Sequence, residues 1–528
     1  MSLRTHRGRV LVAVVTVPLL IAAGLAAGTT TATASTPDPG GKSTSRQGEA
    51  LDALADARAV LSGSGPVTGG PSTRDATMTL LRLAQLRSSL TGADAAAAAR
   101  LLARPGATAS ACTASNCYHW TTSGADAVST VDNNTNGKPD YVDAVMATVD
   151  GVRSTYVNAG YRTPDPDGSA GGNAKTDIYL GDVGAEGLYG YCTTDQPNLD
   201  PPPYNAWAFC VLDNDYSPSQ FSTNTPLENL QVTAAHEYFH AVQFAYDAFE
   251  DSWFLEATAT WAEDELYDDV DDNLQYLARS PLSQPGRPLD TWANDNGPDS
   301  GAQYGEWIFF RFLSENISAE EGGMPTIVRD MWERADGAAG GPDDYSIQAV
   351  DFALAARGVD GPGAFRSFAA ANRLPAKYYE EGADNHYPVA PPDGKFKLST
   401  SKKDSGWKVA TVNHLAAVTA RFLPGTGLSA KSWNLKLALD LPPRETETMA
   451  VVTVVRKTGG PIVSVVPLDS EGGGAKKVPF GSSAVSYVEV TLINAGMNYN
   501  CWEDTRYSCQ GISLDDGRKL MVRAKVVK

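Results

Sequence analysis

The stretch TPLENLQVTAAHEYFH, residues 225–240, decides how the middle of this chain folds. Thr225, Pro226 and Glu228 form the pattern of a capping box with proline at the first helical position, so the sequence predicts a helix that starts there. Apolar residues then recur at helical spacing beside His236 and His240. Because these two histidines are four residues apart, they lie on one face of the helix, and two ring nitrogens can bind one metal ion.

A second predicted helix carries the acidic residues that could complete such a site. A catalytic zinc ion takes three protein ligands and keeps a fourth position for water. In the stretch WFLEATA, residues 253–259, Glu256 is the candidate third ligand, and Glu263 and Asp264 further along are the alternatives. The chain has only 6 histidines, so this H-E-x-x-H spacing is improbable by chance. The simpler interpretation is a pair of surface histidines on a helix.

Together the two motifs resemble those of the gluzincin metallopeptidases, in which a second helix carries a glutamate ligand in a pattern like N-E-G-F-A. Glu256 matches that position, with Leu255 for Asn and Ala257 for Gly, and 15 residues separate it from His240, a short spacing for the family. The resemblance covers only residues 232–265, although the order of parts is also similar to a little-characterised group of exported gluzincin-type proteins. It implies a thermolysin-like α+β catalytic domain, and a second carboxylate behind the ligands, where Glu263 stands.

The chemistry that the resemblance implies is zinc-dependent hydrolysis of peptide bonds. Zinc lowers the pKa of a bound water to about 7, and Glu237, next to a ligand, is the expected general base. Related enzymes stabilise the oxyanion with a Tyr or His from a later helix, and Tyr304 is the candidate here. Because the chain has 21 tyrosines, an ordinary core or surface tyrosine is the alternative. Residues 177–192 resemble the edge strand and substrate rim of such folds. The alternative function is a secreted binding or adhesion protein with a structural or vestigial zinc site.

The beginning of the chain has the pattern of an export signal. Three arginines precede an apolar stretch over residues 10–27, and A-T-A stands before Ser35, so residues 1–34 are predicted to be a signal peptide of a secreted, extracellular protein without a stable membrane anchor. Residues 35–110 are predicted to be a helical N-terminal segment, with helices near 47–61 and 74–102. Whether this segment is a removable pro-segment or a permanent strap is left open.

Cysteine usage and charge fit that destination. The 6 cysteines fall into three local couples, so nearest-neighbour disulfides are predicted: Cys112 with Cys117, Cys192 with Cys210, and Cys501 with Cys509. The net charge of −19 would repel a polyanion, so nucleic acid is not an expected partner. The expected partner is a peptide or protein substrate, and the expected state is a monomer.

A loop at residues 132–143 predicts a second, calcium site. Its spacing matches an EF-hand-type loop with glycine at the sixth position, but proline at the eighth and Asp at the twelfth depart from the pattern. A turn without an ion is the alternative. The predicted ligands are Asp132, Asn134, Asn136, Lys138 through its carbonyl, Asp140 and Asp143.

The remaining chain divides into two predicted domains. Residues 111–392 mix strand and helix patterns and would form the catalytic domain, whereas residues 393–528 alternate as strands do and predict an all-β sandwich. Within the first domain, the acidic run at residues 268–272 is expected to be a solvated face.

Overall fold

A computed structural model describes residues 45–63, 76–199, 202–293, 299–317, 319–500 and 512–528. Within these ranges the chain is an α+β protein, as predicted, with several sheets and twelve α-helices. No helix in them is long and apolar enough to cross a membrane. The predicted signal peptide and the predicted Cys501–Cys509 disulfide lie outside the described residues.

Three helices form the N-terminal segment, α1 (Arg46–Leu61), α2 (Thr77–Leu86) and α3 (Gly92–Leu101), and they pack on one another. The first matches its prediction. The prediction of one helix over residues 74–102 is wrong, because Leu90 and Thr91 are extended and Gly92 has a φ of 57°. Glycine adopts that left-handed conformation without steric cost, so the chain turns here and starts a new helix. The turn lets Leu90 join the core.

The predicted catalytic domain is built on a five-stranded sheet in the order β1-β2-β3-β5-β4. The three central strands are parallel, and both edge strands, β1 and β4, run antiparallel to their neighbours. Of residues 177–192, which were expected to resemble an edge strand and substrate rim, only the part from Gly190 on is an edge strand, because β3 lies in the middle of the sheet. The strands are β1 (Ala109–Cys112), β2 (Asn116–Trp120), β3 (Thr176–Gly181), β4 (Gly190–Thr193) and β5 (Phe209–Asp213).

Helix α5 runs along this sheet, and almost all of its side chains are buried. Its capping box is confirmed: Thr225 Oγ1 accepts from the Glu228 N–H at 3.3 Å, and Glu228 Oε2 accepts from the Thr225 N–H at 2.8 Å. Neighbouring helices α4 and α6 pack against it, and β4 and β5 lie on its other side. The helices of the domain are α4 (Asp140–Asn158), α5 (Pro226–Tyr246), α6 (Ser252–Leu266), α7 (Ala302–Gly305), α8 (Trp307–Asn316), α9 (Ile327–Arg334), α10 (Ile347–Ala356), α11 (Gly361–Ala371) and α12 (Pro375–Tyr378).

Two of the predicted disulfides are confirmed. Cys112–Cys117 joins β1 to β2, and Cys192–Cys210 joins the edge strand β4 to β5. The second one is fully buried, and Cys192 Sγ lies 2.8 Å from the backbone carbonyl oxygen of Glu237. The disulfide therefore fixes the edge strand to the sheet and lies against the middle of α5.

The C-terminal region is the predicted β-sandwich, with an apolar core between a five-stranded and a four-stranded sheet. The sheet orders are β13-β12-β15-β10-β8 and β14-β11-β18-β9. The strands are β8 (Gly394–Leu398), β9 (Asp404–Val412), β10 (Ala416–Pro424), β11 (Asn434–Asp440), β12 (Thr448–Arg456), β13 (Ile462–Val465), β14 (Gly473–Pro479), β15 (Val485–Asn494) and β18 (Arg518–Val527). Two short pairs complete the fold, β6 (Glu320–Glu321) with β7 (Met324–Pro325), and β16 (Tyr499–Asn500) with β17 (Ile512–Ser513).

The outer face of the five-stranded sheet packs against α11 of the catalytic domain. Buried ion pairs hold this contact, since the Arg373 guanidinium reaches both carboxylate oxygens of Glu489, at 2.9 and 3.1 Å. Nearby, His414 of the sandwich lies between two carboxylates, with Nε2 2.9 Å from Asp290 and Nδ1 2.5 Å from Asp516. The domain contact is thus partly apolar and partly charged.

Candidate metal centre

The predicted ligands on α5 and α6 come together. His236 Nε2 lies 3.2 Å from Glu256 Oε2, and His240 Nε2 lies 3.8 Å from the same oxygen. One ligand atom from each of the three residues lies within 4.8 Å of the others, and all three side chains are buried. Because α6 packs directly on α5, the carboxylate faces the histidine pair from the neighbouring helix. The two helices thereby present two nitrogens and one oxygen to a common point.

The imidazole of His236 is oriented by a carboxylate behind it. Its Nδ1 is 2.6 Å from Glu263 Oε1, which is the position that the family resemblance implied for Glu263. Glu263 accepts a hydrogen bond from Nδ1–H, so Nε2 is the ring nitrogen that faces Glu256. His236 Nε2 is therefore the candidate ligand atom, and Glu263 is the outer partner that fixes the orientation of the ring.

The tautomer of His240 follows from the side chain of Gln243. The Gln243 amide nitrogen donates to the carbonyl oxygen of Leu255 and to Thr258 Oγ1, both at 2.9 Å, so its oxygen must be the atom that faces His240 Nδ1, at 2.7 Å. Nδ1 is then the protonated nitrogen. Nε2 carries the lone pair, is buried, and has no hydrogen-bond partner among the described residues. A buried acceptor of this kind is costly unless a ligand occupies it, so the donor set fits a zinc ion.

The two histidines have opposite pKa shifts. Burial lowers the pKa of His236, but hydrogen bonds to Glu256 and Glu263 outweigh it and raise the pKa well above the ordinary value. Burial and the neighbouring His236 lower the pKa of His240 well below its ordinary value. His240 is therefore neutral at physiological pH, which is the state that binds a metal ion.

The expected base, Glu237, lines a small cavity beside His236. The cavity has a volume of about 30 Å³, which is enough for one or two water molecules and not for a peptide. Thr77 Oγ1 donates to Glu237 Oε2 at 3.0 Å. Gly190 of the edge strand lies against the same residue, since a Cβ there would come within 3.1 Å of Glu237 Cγ. The cavity is lined by Tyr189, Val232, Thr233, His236, Glu237, Glu263, Asp272, Tyr276 and Tyr304.

Tyr304 reaches this cavity too. Its ring centroid is 6.3 Å from that of His236, and it stacks on Tyr276 at 5.1 Å. It lies on the short helix α7, which Glu306 separates from α8. Tyr304 therefore lies where an oxyanion donor would be useful, and its catalytic role stays a prediction.

The structure also shows where two other predicted acidic features lie, Asp264 and the run at residues 268–272. Asp264 points away from the histidines, since it accepts from Asn273 Nδ2 at 2.6 Å and pairs with Arg311 at 2.9 Å. The expectation that residues 268–272 form a solvated face is wrong for Asp272, which is buried and accepts from Asn224 at 2.8 Å. The reason is that a 3₁₀ turn carries Asp272 inward to the cavity wall.

The candidate calcium loop is closed by its own hydrogen bonds. Asp132 accepts from the Asn136 and Gly137 N–H groups at 3.1 and 2.9 Å, and Asp143 Oδ2 accepts from the Asn134 and Asn136 amides at 2.8 and 2.6 Å. Helix α4 begins at Asp140, so the last two predicted ligands, Asp140 and Asp143, belong to its first turn. An ion would have to replace some of these bonds. Calcium binding stays a prediction.

Two residues of the site escaped the sequence analysis. Gln243, three residues after His240, could have been noticed because that spacing places it beside His240 on the same helix face. Thr77 could not, because it lies 160 residues before the glutamate that it contacts.

Comparisons with known proteins add little to this site. No family model matches the chain, and no curated protein matches it. Among solved structures, a family GH115 4-O-methyl-α-glucuronidase with specificity for decorated arabinogalactans aligns with 70% of this chain at 12% identity and a TM-score of 0.15. The match covers 54% of that protein, so the chain spans about half its length. A TM-score this low carries no argument about fold or function.

Proposed function

We propose that the protein is a secreted, zinc-dependent endopeptidase with a thermolysin-like catalytic domain. The observation that carries the proposal is the convergence of two histidine nitrogens and the Glu256 carboxylate beside Glu237 and a water-sized cavity. A purely structural zinc site would be closed by four protein ligands, whereas a three-ligand set leaves one position for water.

In this proposal each residue of the site has a separate role in hydrolysis. Zinc, when bound by His236, His240 and Glu256, would supply a water of lowered pKa and polarise the scissile carbonyl. Glu237 would take the proton of that water and deliver it to the leaving amine, because it lines the cavity and is not itself a ligand. Tyr304, which also lines the cavity, would donate to the oxyanion.

The edge strand β4 supports a peptide as the substrate. It is an edge strand of the sheet, it runs antiparallel to its neighbour β5, and it lies directly beside Glu237. An extended peptide can add to such an edge through main-chain hydrogen bonds, which places a scissile bond near the base. Gly190 lets the strand lie this close to the base, since a Cβ there would come within 2.9 Å of Thr233 Cγ2 and 3.1 Å of Glu237 Cγ.

The proposal is tested by metal analysis together with cleavage of an unbiased peptide library. We expect about one zinc per chain, and Glu237→Gln should keep the zinc while losing hydrolysis by about 10²- to 10⁴-fold. Glu228→Gln, at the exposed start of the same helix, is the matched control. Stoichiometric zinc without hydrolysis in any form of the wild type would contradict the proposal and favour the binding-protein alternative.

A further inference from the structure

The N-terminal segment reaches into the proposed active site. Thr77, in the first turn of α2, is fully buried, and its hydroxyl donates to Glu237 Oε2 at 3.0 Å. Thr77 Oγ1 also accepts from the backbone N–H of Cys192, at 2.9 Å. The Thr77 hydroxyl is thus hydrogen-bonded both to the expected base and to the backbone of the edge strand.

Both contacts compete with a peptide substrate. The Cys192 N–H points outward from β4, away from β5, and outward N–H groups are what an added strand would use. The helix α2 packs along this strand, so the edge is covered over more than one residue. What remains beside Glu237 is the cavity of about 30 Å³. The substrate cannot reach the base while α2 is in place.

Polar contacts at the far end of the segment hold it there. Gln85 donates to the carbonyl oxygen of Ala248 just after α5, at 2.7 Å, and Arg87 donates to that of Asp195 at 3.3 Å. Arg104 forms ion pairs with Asp177, Asp195 at 2.8 Å and Asp167 at 2.7 Å. Most other contacts of α1, α2 and α3 are with one another, so the segment resembles a small unit docked on the catalytic domain.

We infer that residues 76–104 are an inhibitory segment that blocks the edge of β4 and the base, and that the enzyme works fully only when this segment has been displaced. The inference rests on the proposed function. It decides between the two alternatives that the sequence left open, a removable segment and a permanent strap. The backbone just after Arg104 suits a cut, since residues 106–108 are exposed.

The first experiment uses the full chain and changes only one hydroxyl. Thr77→Val keeps the shape of the side chain and removes both hydrogen bonds, so peptide hydrolysis by the intact chain should rise about tenfold. Thr79→Val makes the same chemical change two residues along α2 and should leave the rate unchanged. If Thr77 instead helps catalysis, Thr77→Val will lower the rate, and the inference is overturned.

The second experiment removes the segment after folding. A recognition sequence for a site-specific protease is inserted between Gly106 and Ala107, and the cut protein is passed through a size-exclusion column in high salt to weaken the Arg104 pairs. We expect release of the segment, faster removal of zinc by 1,10-phenanthroline, and hydrolysis at least tenfold above the uncut chain. Near-ultraviolet circular dichroism shows whether the remaining domain stays folded.

The outcomes separate the two proposals. Equal hydrolysis before and after the cut would overturn the inhibitory segment and leave the peptidase intact. Faster zinc removal without any hydrolysis, in a folded domain, would overturn the peptidase while supporting the covered site. A folded cut protein that keeps both its segment and its slow zinc removal in high salt would show a permanent strap. If the cut domain unfolds, the pair Thr77→Val and Thr79→Val decides the question.

Discussion

Two buried clusters in this molecule combine histidine with carboxylates, and they are built differently. At the domain contact, His414 has a carboxylate on each ring nitrogen, Asp290 and Asp516, and Tyr499 donates to Asp290 at 2.9 Å. Burial lowers the pKa of His414, but the two carboxylates outweigh it and raise the pKa to about 10. This cluster is a closed ion pair at neutral pH.

In the cluster on α5 and α6, the ring nitrogens of the two histidines do not all have a carboxylate partner. His236 has carboxylates on both sides, but His240 uses Gln243, a neutral partner, and its Nε2 is left without a hydrogen bond within the described part of the chain. A cluster in which every ring nitrogen is hydrogen-bonded has no lone pair for a metal ion, and its role is structural. One that keeps a buried lone pair is suited to bind an ion.

The largest effect is expected at the proposed zinc ligands. Glu256→Ala removes one of the three proposed ligands and should abolish stoichiometric zinc binding, whereas Glu263→Ala removes only the outer partner of His236 and should weaken the affinity by about 10- to 100-fold. Asp516→Ala, at the other cluster, is the control and should leave the zinc content unchanged. Zinc content is measured by atomic emission. The reverse order of the two glutamates would move the ligand assignment to Glu263.

The second prediction concerns pH and the domain contact. The pKa of His414 is about 10 in the folded protein, against about 6.5 when unfolded, so its contribution to stability is complete below about pH 6.5 and is lost as pH rises toward 10. The loss should be a few kcal/mol, since each pKa unit corresponds to about 1.4 kcal/mol. Denaturant unfolding of wild type and His414→Gln between pH 6 and 10 measures it. Parallel curves for the two proteins would contradict the ion pair.

Each cluster also has a tyrosine, and removing the hydroxyl should have different effects. Tyr304→Phe should lower kcat by about 10²-fold with zinc content and melting temperature nearly unchanged, because the ring still packs on Tyr276. Tyr499→Phe should leave kcat unchanged and cost about 1 kcal/mol of stability, the usual value of one hydrogen bond. An unchanged kcat in Tyr304→Phe would make that residue structural.

The smallest effect is expected at the calcium loop, where carboxylates occur without histidine. For a dissociation constant of 10⁻⁴ to 10⁻³ M, millimolar calcium should add about 0.4 to 1.4 kcal/mol to the free energy of unfolding. The combined change Asp132→Ala and Asp140→Ala should remove this gain and leave zinc in place. A wild-type melting curve insensitive to calcium would make the segment a turn.

The sequence predicted what depends on local spacing. The start of α5, the shared face of His236 and His240, and the place of Glu263 follow from helical periodicity, capping and the family resemblance, and the structure agrees with them. The break at Leu90 and the inward turn of Asp272 are set by tertiary packing, which overrides local propensity. Contacts between distant segments, such as Thr77 with Glu237, leave no mark in a single sequence.

Arg104 has a further consequence for the lifetime of the protein. It is the last residue of the inhibitory segment, and its guanidinium faces three carboxylates of the catalytic domain, Asp167, Asp177 and Asp195. Burial already raises the pKa of Asp167 to about 6 with the arginine present. A cut after residue 106 would carry Arg104 away and leave these carboxylates facing one another. The cleavage that activates the protein would therefore also lower its stability, and the active form would unfold more readily than the uncut chain.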